Sequence, residues 1–107
     1  MLGGREVFPT CAACHGTDGS GGAGPSLASV RETFPDCETH VQWIRLGSEG
    51  WKSEVAPTYG AQDAAVDQVM PAFGTLDETA LRRVAMYERV RFGGSEPDAE
   101  RVACGLS

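Results

Sequence analysis

The sequence predicts an all-α chain of about four or five helices, on three observations. No stretch alternates apolar and polar residues for long enough to read as a strand. Apolar residues recur at helical spacing from Cys37 to Ile44 and again from Ala80 to Val90. Glycine-rich punctuation separates the periodic segments, at Gly16–Gly24, Gly47 and Gly93-Gly94. With 107 residues the chain is one domain, 1–107, too short for two cores. Only 7% of residues are aromatic, so the core is thin and calls for a disulfide, metal, cofactor or partner to support it.

Taken in order, Leu2–Phe8 reads as a short helix and HGTDGSGGAG after it as a loop. Leu27–Phe34 provides a helical turn or two. Asp36 is a suitable N-cap for the next helix, whose face is Cys37, His40, Val41 and Ile44; Gly47 stops it. Gln62–Gln68 reads as one short turn. Thr75-Leu76-Asp77-Glu78 is a capping box with Thr75 as cap and Glu78 three residues on. The helix it opens carries Leu81, Val84, Tyr87 and Val90 on one face, joined by Ala80 and Ala85, and ends at Gly93-Gly94.

Fifteen acidic residues against nine basic ones give a net charge of −6, which excludes a nucleic-acid binder needing a basic face. No apolar run is long enough to cross a membrane. Residues 1–10, MLGGREVFPT, hold no signal-peptide apolar stretch, so an export signal or anchor is expected to be absent from this chain. The charge is uneven: Arg82, Arg83, Arg89 and Arg91 face only Glu88 between Thr79 and Phe92. That cluster is either a docking patch or, as helices more often show, a solvated face.

The chemistry concentrates in Cys11-Ala12-Ala13-Cys14-His15, the attachment signature of a c-type haem. Two thiols must add to the two vinyl groups on one porphyrin edge, and two intervening residues let a helical turn span that edge. The next residue, His15, then brings its imidazole to the iron. A thioredoxin-like pair would need a βαβ setting, and a zinc site would need a second CxxC or a close HxxxH; neither is present. A sixth ligand is available in Val69-Met70-Pro71-Ala72-Phe73-Gly74, where Pro71 restricts the backbone around Met70. His/Met ligation raises the reduction potential relative to a bis-histidine site. Met86, by contrast, lies inside a helical pattern and reads as core. His40 reads as packed or exposed rather than as a ligand.

With CAACHG at Cys11–Gly16, GPSL at Gly24–Leu27, MPAFG at Met70–Gly74 and Tyr87 on the last helix, the chain resembles the class I monohaem cytochrome c family of bacterial type over nearly its whole length. The resemblance implies a small cytochrome c fold wrapped around one covalent haem c, held through Cys11 and Cys14. It implies that Pro25 offers its carbonyl to the other ring nitrogen of His15, and that Leu27 packs against the haem face. It implies a crossing of first and last helices at Gly3 or Gly4 and Tyr87. Phe8 stands three residues before Cys11, where the family keeps an aromatic at four, and Pro9 intervenes. The first helix is therefore expected to be short or kinked there.

Other residues fit around that frame. Phe73 would line the haem edge beside Met70. Trp43, Trp51 and Tyr59 would pack on the haem or hydrogen-bond a propionate, unless they are ordinary core. Arg45 would pair with a propionate or sit in water. Cys37 and Cys104, left over after haem attachment, suggest an intrachain disulfide; two isolated thiols or an intermolecular link are the alternatives.

The expected function is one-electron transfer between redox proteins of a respiratory chain, since a six-coordinate iron leaves no open position for a substrate. The protein is expected to be a non-enzymatic monomer, extracytoplasmic (periplasmic or on the outer face of the membrane), docking on a partner with a basic patch. Two alternatives stand beside this. The chain is a cytochrome c domain excised from a larger redox enzyme or oxidase complex, or it is a haem peroxidase or gas sensor with a labile Met70.

Overall fold

The computed structural model describes residues 8, 9, 11, 15, 16, 19–21, 26–66 and 69–106. Phe8, Pro9, Cys11 and His15 are helical. They are followed by α1 (Val30–Thr33), α2 (Cys37–Glu54), β1 (Thr58–Tyr59), β2 (Ala64–Ala65), α3 (Glu78–Arg91) and α4 (Pro97–Ala103). The all-α reading holds, with one addition. The segment 58–65 is a minimal antiparallel hairpin, Thr58 opposite Ala65 and Tyr59 opposite Ala64, where a turn over Gln62–Gln68 was expected. Two residues a side is too short for alternation to register in the sequence.

The longest element is α2, packed along α3, and α4 closes across both. Asp36 caps α2 as expected: its carboxylate accepts from the Thr39 amide at 3.1 Å and from the Thr39 hydroxyl at 2.8 Å. Cys37, Val41 and Ile44 then turn inward, each 1% exposed, against Leu81, Val84 and Ala85 of α3. Burying Val41, Ile44 and Leu81 stabilises the pair by about 1.5–3 kcal/mol each. Gly47 interrupts α2 but does not end it. Its backbone turns to φ 69°, ψ −179°, and the helix resumes through Ser48 and Trp51 to Glu54.

The start of α3 differs from the capping-box expectation. Asp77 is the cap, its carboxylate accepting from the Ala80 amide at 2.8 Å. The reason lies upstream. The Leu76 amide donates to the Phe73 carbonyl at 3.1 Å, so the chain is still turning when it passes Thr75. Glu78 is left at the first helical position, where its carboxylate pairs with Arg45 and Arg82.

The inner face of α3 is also more polar than its sequence suggests. Ala80, Leu81, Val84 and Ala85 are buried as expected, but the stripe continues through Glu88 and Arg89, while Tyr87 and Val90 are only partly covered. Buried charge of this kind requires partners. His40 Nε2 lies 2.9 Å from Glu88 Oε1, and the His40 ring stacks on Phe34 at 5.4 Å. Arg89 donates to Glu100 of α4 at 2.6 Å and to the Phe34 and Pro35 carbonyls at 2.5 and 2.9 Å. One guanidinium thus ties α3 to α4 and to the turn before α2.

The sequence reading stopped its last helix at Gly93-Gly94, so α4 was not anticipated. Its local logic is nevertheless complete. Pro97 takes the first turn, Asp98 and Glu100 sit near the positive end of the dipole, and Glu96 caps by accepting from the Ala99 amide at 3.0 Å. Directly after α4, Cys104 brings its Sγ to 1.97 Å from that of Cys37, with both residues buried.

Candidate haem-binding site

Cys11 and His15 lie four residues apart in helical conformation, and so on one face. Both are buried, at 5% and 7% exposure. Pro9 is helical along with Phe8, so no break falls between them. Phe8 keeps an inward role despite its shifted spacing, its ring 5.4 Å from that of Tyr87 and 5.0 Å from that of Phe92.

The loop after His15 is held to the same end of α3. The Gly21 amide donates to the His15 carbonyl at 2.9 Å, and the Leu27 amide to the Gly19 carbonyl at 2.7 Å. Gly19 has φ +70°, and a Cβ there would lie 2.6 Å from the Phe92 ring. Only glycine permits this approach. Phe92 is therefore clasped between Phe8 before the motif and Gly19 after it.

On the Met70 side, the break in α2 becomes functional. In a continuous helix the Ser48 amide would donate to the Ile44 carbonyl. Here the Ser48 amide donates instead to the Met70 carbonyl at 3.0 Å, and the Ile44 carbonyl accepts from the Phe73 amide at 3.1 Å. The Met70–Phe73 backbone is inserted where the helix opens. The Ser48 hydroxyl completes the join, accepting from the Met70 amide at 2.8 Å and donating to the Met70 carbonyl at 3.3 Å. Gly47 makes room: a Cβ there would lie 2.7 Å from both the Met70 carbonyl oxygen and the Ala72 nitrogen.

One apolar cluster contains Cys11 and Leu27, and Met70 and Phe73 pack partly buried against it. Four of the expected haem contacts thus share one lining. A thiol and an imidazole on one helix face, a thioether on a segment tied down by Ser48, and apolar walls beside them form a donor set that suits a covalently held haem. Cys14, Pro25, Gly3 and Gly4 lie outside the described residues.

Trp43 and Tyr59 belong to a second, aromatic group. Their rings stack at 4.4 Å, Phe34 lies 5.9 and 6.1 Å from them, and Trp51 meets Trp43 edge-on at 5.5 Å. The indole N–H of Trp51 donates to the Thr58 carbonyl at 2.9 Å, which commits that donor to holding the hairpin. Arg45 pairs with Glu78. His40, engaged with Glu88 and Phe34, is a packed histidine as expected.

The arginine cluster of α3 is not a simple solvated face. Arg89 is internal, and Arg82 pairs with Glu38 and Glu78 and donates to the Cys104 carbonyl at 2.9 Å. The Arg82 hydrogen bond holds the Glu38 carboxyl below the usual carboxylate range, and Glu38 in turn raises Arg82. The Thr39 hydroxyl similarly lowers Asp36 at the cap.

Sequence reasoning singled out Met70 and missed the residues that fix its segment. Ser48 and the true role of Gly47 were legible only as a Gly-Ser interruption within a helical run. Neither the curated proteins nor the solved structures give a match, whereas the family model for cytochrome c matches residues 2–87. With that match extending from before the CAACH motif through the Met70 segment and into α3, the chain belongs to the cytochrome c family.

Proposed function

We propose that this chain, acting as one domain over residues 1–107, carries single electrons through a haem c bonded to Cys11 and Cys14 and ligated by His15 and Met70. The family membership implies a haem-bearing electron carrier. The observation that carries the finer reading is the fixing of Met70 by Ser48 and Gly47 against the cluster that contains Cys11. The haem, when bound, supplies the one-electron couple.

The rest is done by the chain. Leu27 and Phe73 exclude water from the ligand side, and Pro25 holds the ring proton of His15, fixing its tautomer. Trp43 and Tyr59, in the separate aromatic group, would offer their polar tips to the haem propionates. With His15 and Met70 both holding the iron, no position would remain for a substrate, which favours a carrier over an enzyme. A fixed Met70 keeps the geometry similar in both oxidation states, which favours rapid exchange.

An extracytoplasmic setting accords with haem attachment and with a disulfide between the buried, adjoining Cys37 and Cys104. Respiratory redox proteins are the partners in this reading. The net charge of −6 favours a basic docking patch on the partner, with salt-sensitive, transient binding to this monomer.

Optical spectra of the purified holoprotein and of Met70→Ala test the reading. Low-spin six-coordinate bands in both oxidation states, with the weak long-wavelength ferric band lost only in the variant, are expected. A high-spin or five-coordinate spectrum for the native protein would overturn it.

A further inference from the structure

We infer that the Ser48 hydroxyl is the positioning group for the sixth ligand, controlling how readily Met70 leaves the iron. The inference rests on the His15/Met70 reading and goes beyond it to a residue that never meets the haem.

Three features of the geometry carry it. First, both backbone polar groups of Met70 are bound by Ser48 alone: the amide by the hydroxyl at 2.8 Å, the carbonyl by the Ser48 amide at 3.0 Å and by the hydroxyl at 3.3 Å. A hydroxyl has one proton and two lone pairs, so it can accept from the amide and donate to the carbonyl together. Second, Ser48 is 1% exposed, so water does not replace the hydroxyl when it is removed. Third, Ser48 is itself fixed by α2 resuming immediately after Gly47, so the hydroxyl is a rigid post rather than a mobile side chain. Any residue at position 48 would offer the amide, but only a side chain with a short acceptor also binds the Met70 N–H. Removing it leaves a part-buried donor without its protein partner whenever Met70 is in place. The penalty is relieved when the segment swings away. The equilibrium therefore shifts toward the open iron, and an external ligand binds more tightly.

The test is imidazole titration of the ferric holoprotein, followed by bleaching of the long-wavelength band. Ser48→Ala is expected to bind imidazole about tenfold more tightly than the native protein, corresponding to about 1.4 kcal/mol. In a Met70→Ala background the same substitution is expected to leave imidazole affinity unchanged, because the segment no longer competes for the iron. Ser48→Cys, close in size but a weaker acceptor, should give an intermediate tightening of about threefold, and it carries the test if Ser48→Ala does not yield holoprotein. Native affinity in both Ser48 variants would overturn the inference. So would an effect of equal size in the Met70→Ala background, since Ser48 would then act by another route. If Met70→Ala alone keeps the band and the native imidazole affinity, the ligand assignment fails instead, and the two failures are distinct.

Discussion

Gly47→Ala is the sharpest probe of how α2 and the Met70 segment depend on each other. The backbone at Gly47, φ 69° and ψ −179°, lies in a region open essentially only to glycine. Holding an alanine there costs about 1–3 kcal/mol in backbone strain. The new methyl would also sit 2.7 Å from the Met70 carbonyl oxygen, 2.7 Å from the Ala72 nitrogen and 2.8 Å from the Pro71 carbonyl carbon. All three are backbone atoms, so no rotamer change relieves the contact, and overpacking of this kind adds about another 1–3 kcal/mol. Taking about 4 kcal/mol for the whole, and about 4–8 °C per kcal/mol for a domain of this size, the melting temperature of the holoprotein should fall by roughly 15–30 °C. The alternative for the variant is to restore the helical Ile44–Ser48 hydrogen bond and expel residues 70–73, which removes the long-wavelength ferric band. Thermal unfolding and the ferric spectrum together read both outcomes. Gly74→Ala is the control on the same segment: a Cβ there lies 3.5 Å from the Arg45 carbonyl, an ordinary contact. A Gly47→Ala protein that melts within a few degrees of the native one and keeps the band would refute the reasoning.

Three further outcomes follow from the same contacts. Glu100→Gln replaces the carboxylate that faces the buried Arg89 at 2.6 Å by a neutral amide and leaves that cation without its countercharge, with only neutral oxygens, those of the amide and of the Phe34 and Pro35 carbonyls, to accept from it. The expected loss is about 3 kcal/mol in urea unfolding, and a loss below about 1 kcal/mol would show that the pair is not what joins α3 to α4. Glu38 is held below its ordinary value of 4.5 by Arg82, so its contribution is fully present above pH 4.5 and is lost as the pH falls through the lowered value. The stability difference between the native protein and Glu38→Gln, at most about 1 kcal/mol for so exposed a pair, should shrink toward zero in acid; a gap that widens there would contradict the sign. With the proposed Cys37–Cys104 disulfide in place, Cys104→Ser would open a loop of 67-residue separation, for which a loss of about 4 kcal/mol is expected in the chain-entropy model. Equal unfolding midpoints for native and Cys104→Ser protein in non-reducing buffer would argue against the disulfide.

Much of the site was legible because its chemistry is local. Cys11 and His15 were singled out by spacing alone and Met70 by the proline beside it, and Cys11 and Met70 do meet at one apolar cluster. The Asp36 cap was readable for the same reason: a short acceptor followed by periodic apolar residues. What escaped depends on groups far apart in the chain. Asp77 rather than Thr75 caps α3 because the Phe73 carbonyl holds the chain in a turn, and no window around Thr75 contains that information. Tyr87 and Val90 looked inward on periodicity, but Glu88 and Arg89 took the buried end of the stripe. Their partners, His40 and Glu100, stand 48 and 11 residues away. Gly47 was read as the end of the helix, whereas it is an interruption after which the helix resumes. Whether a helix resumes after a break depends on what fills the gap, and here that is a segment more than twenty residues downstream.

The same long-range pairings change how the charge of this protein is understood. In the sequence, the cations of α3 form a positive island on an acidic chain, a feature that invites an acidic partner. In the structure, Arg89 is 3% exposed and neutralised by Glu100, and Arg82 is bound to Glu38 and Glu78. Arg83 and Arg91 are the cations of that helix with no carboxylate partner among the described residues, and Arg91 lies 5.3 Å above the Phe92 ring. Two arginines that would have made a patch instead hold α1, α2 and α4 around α3. The island is dismantled by folding, since Arg82 and Arg89 are taken up by these pairs, whereas the chain as a whole keeps its net charge of −6. A surface of that sign repels acidic partners, and it draws a basic one over distances comparable to the Debye length, about 8 Å at physiological salt. The arginines that look like a docking signal thus serve the fold, and the acidic excess they leave behind sets the charge a redox partner meets.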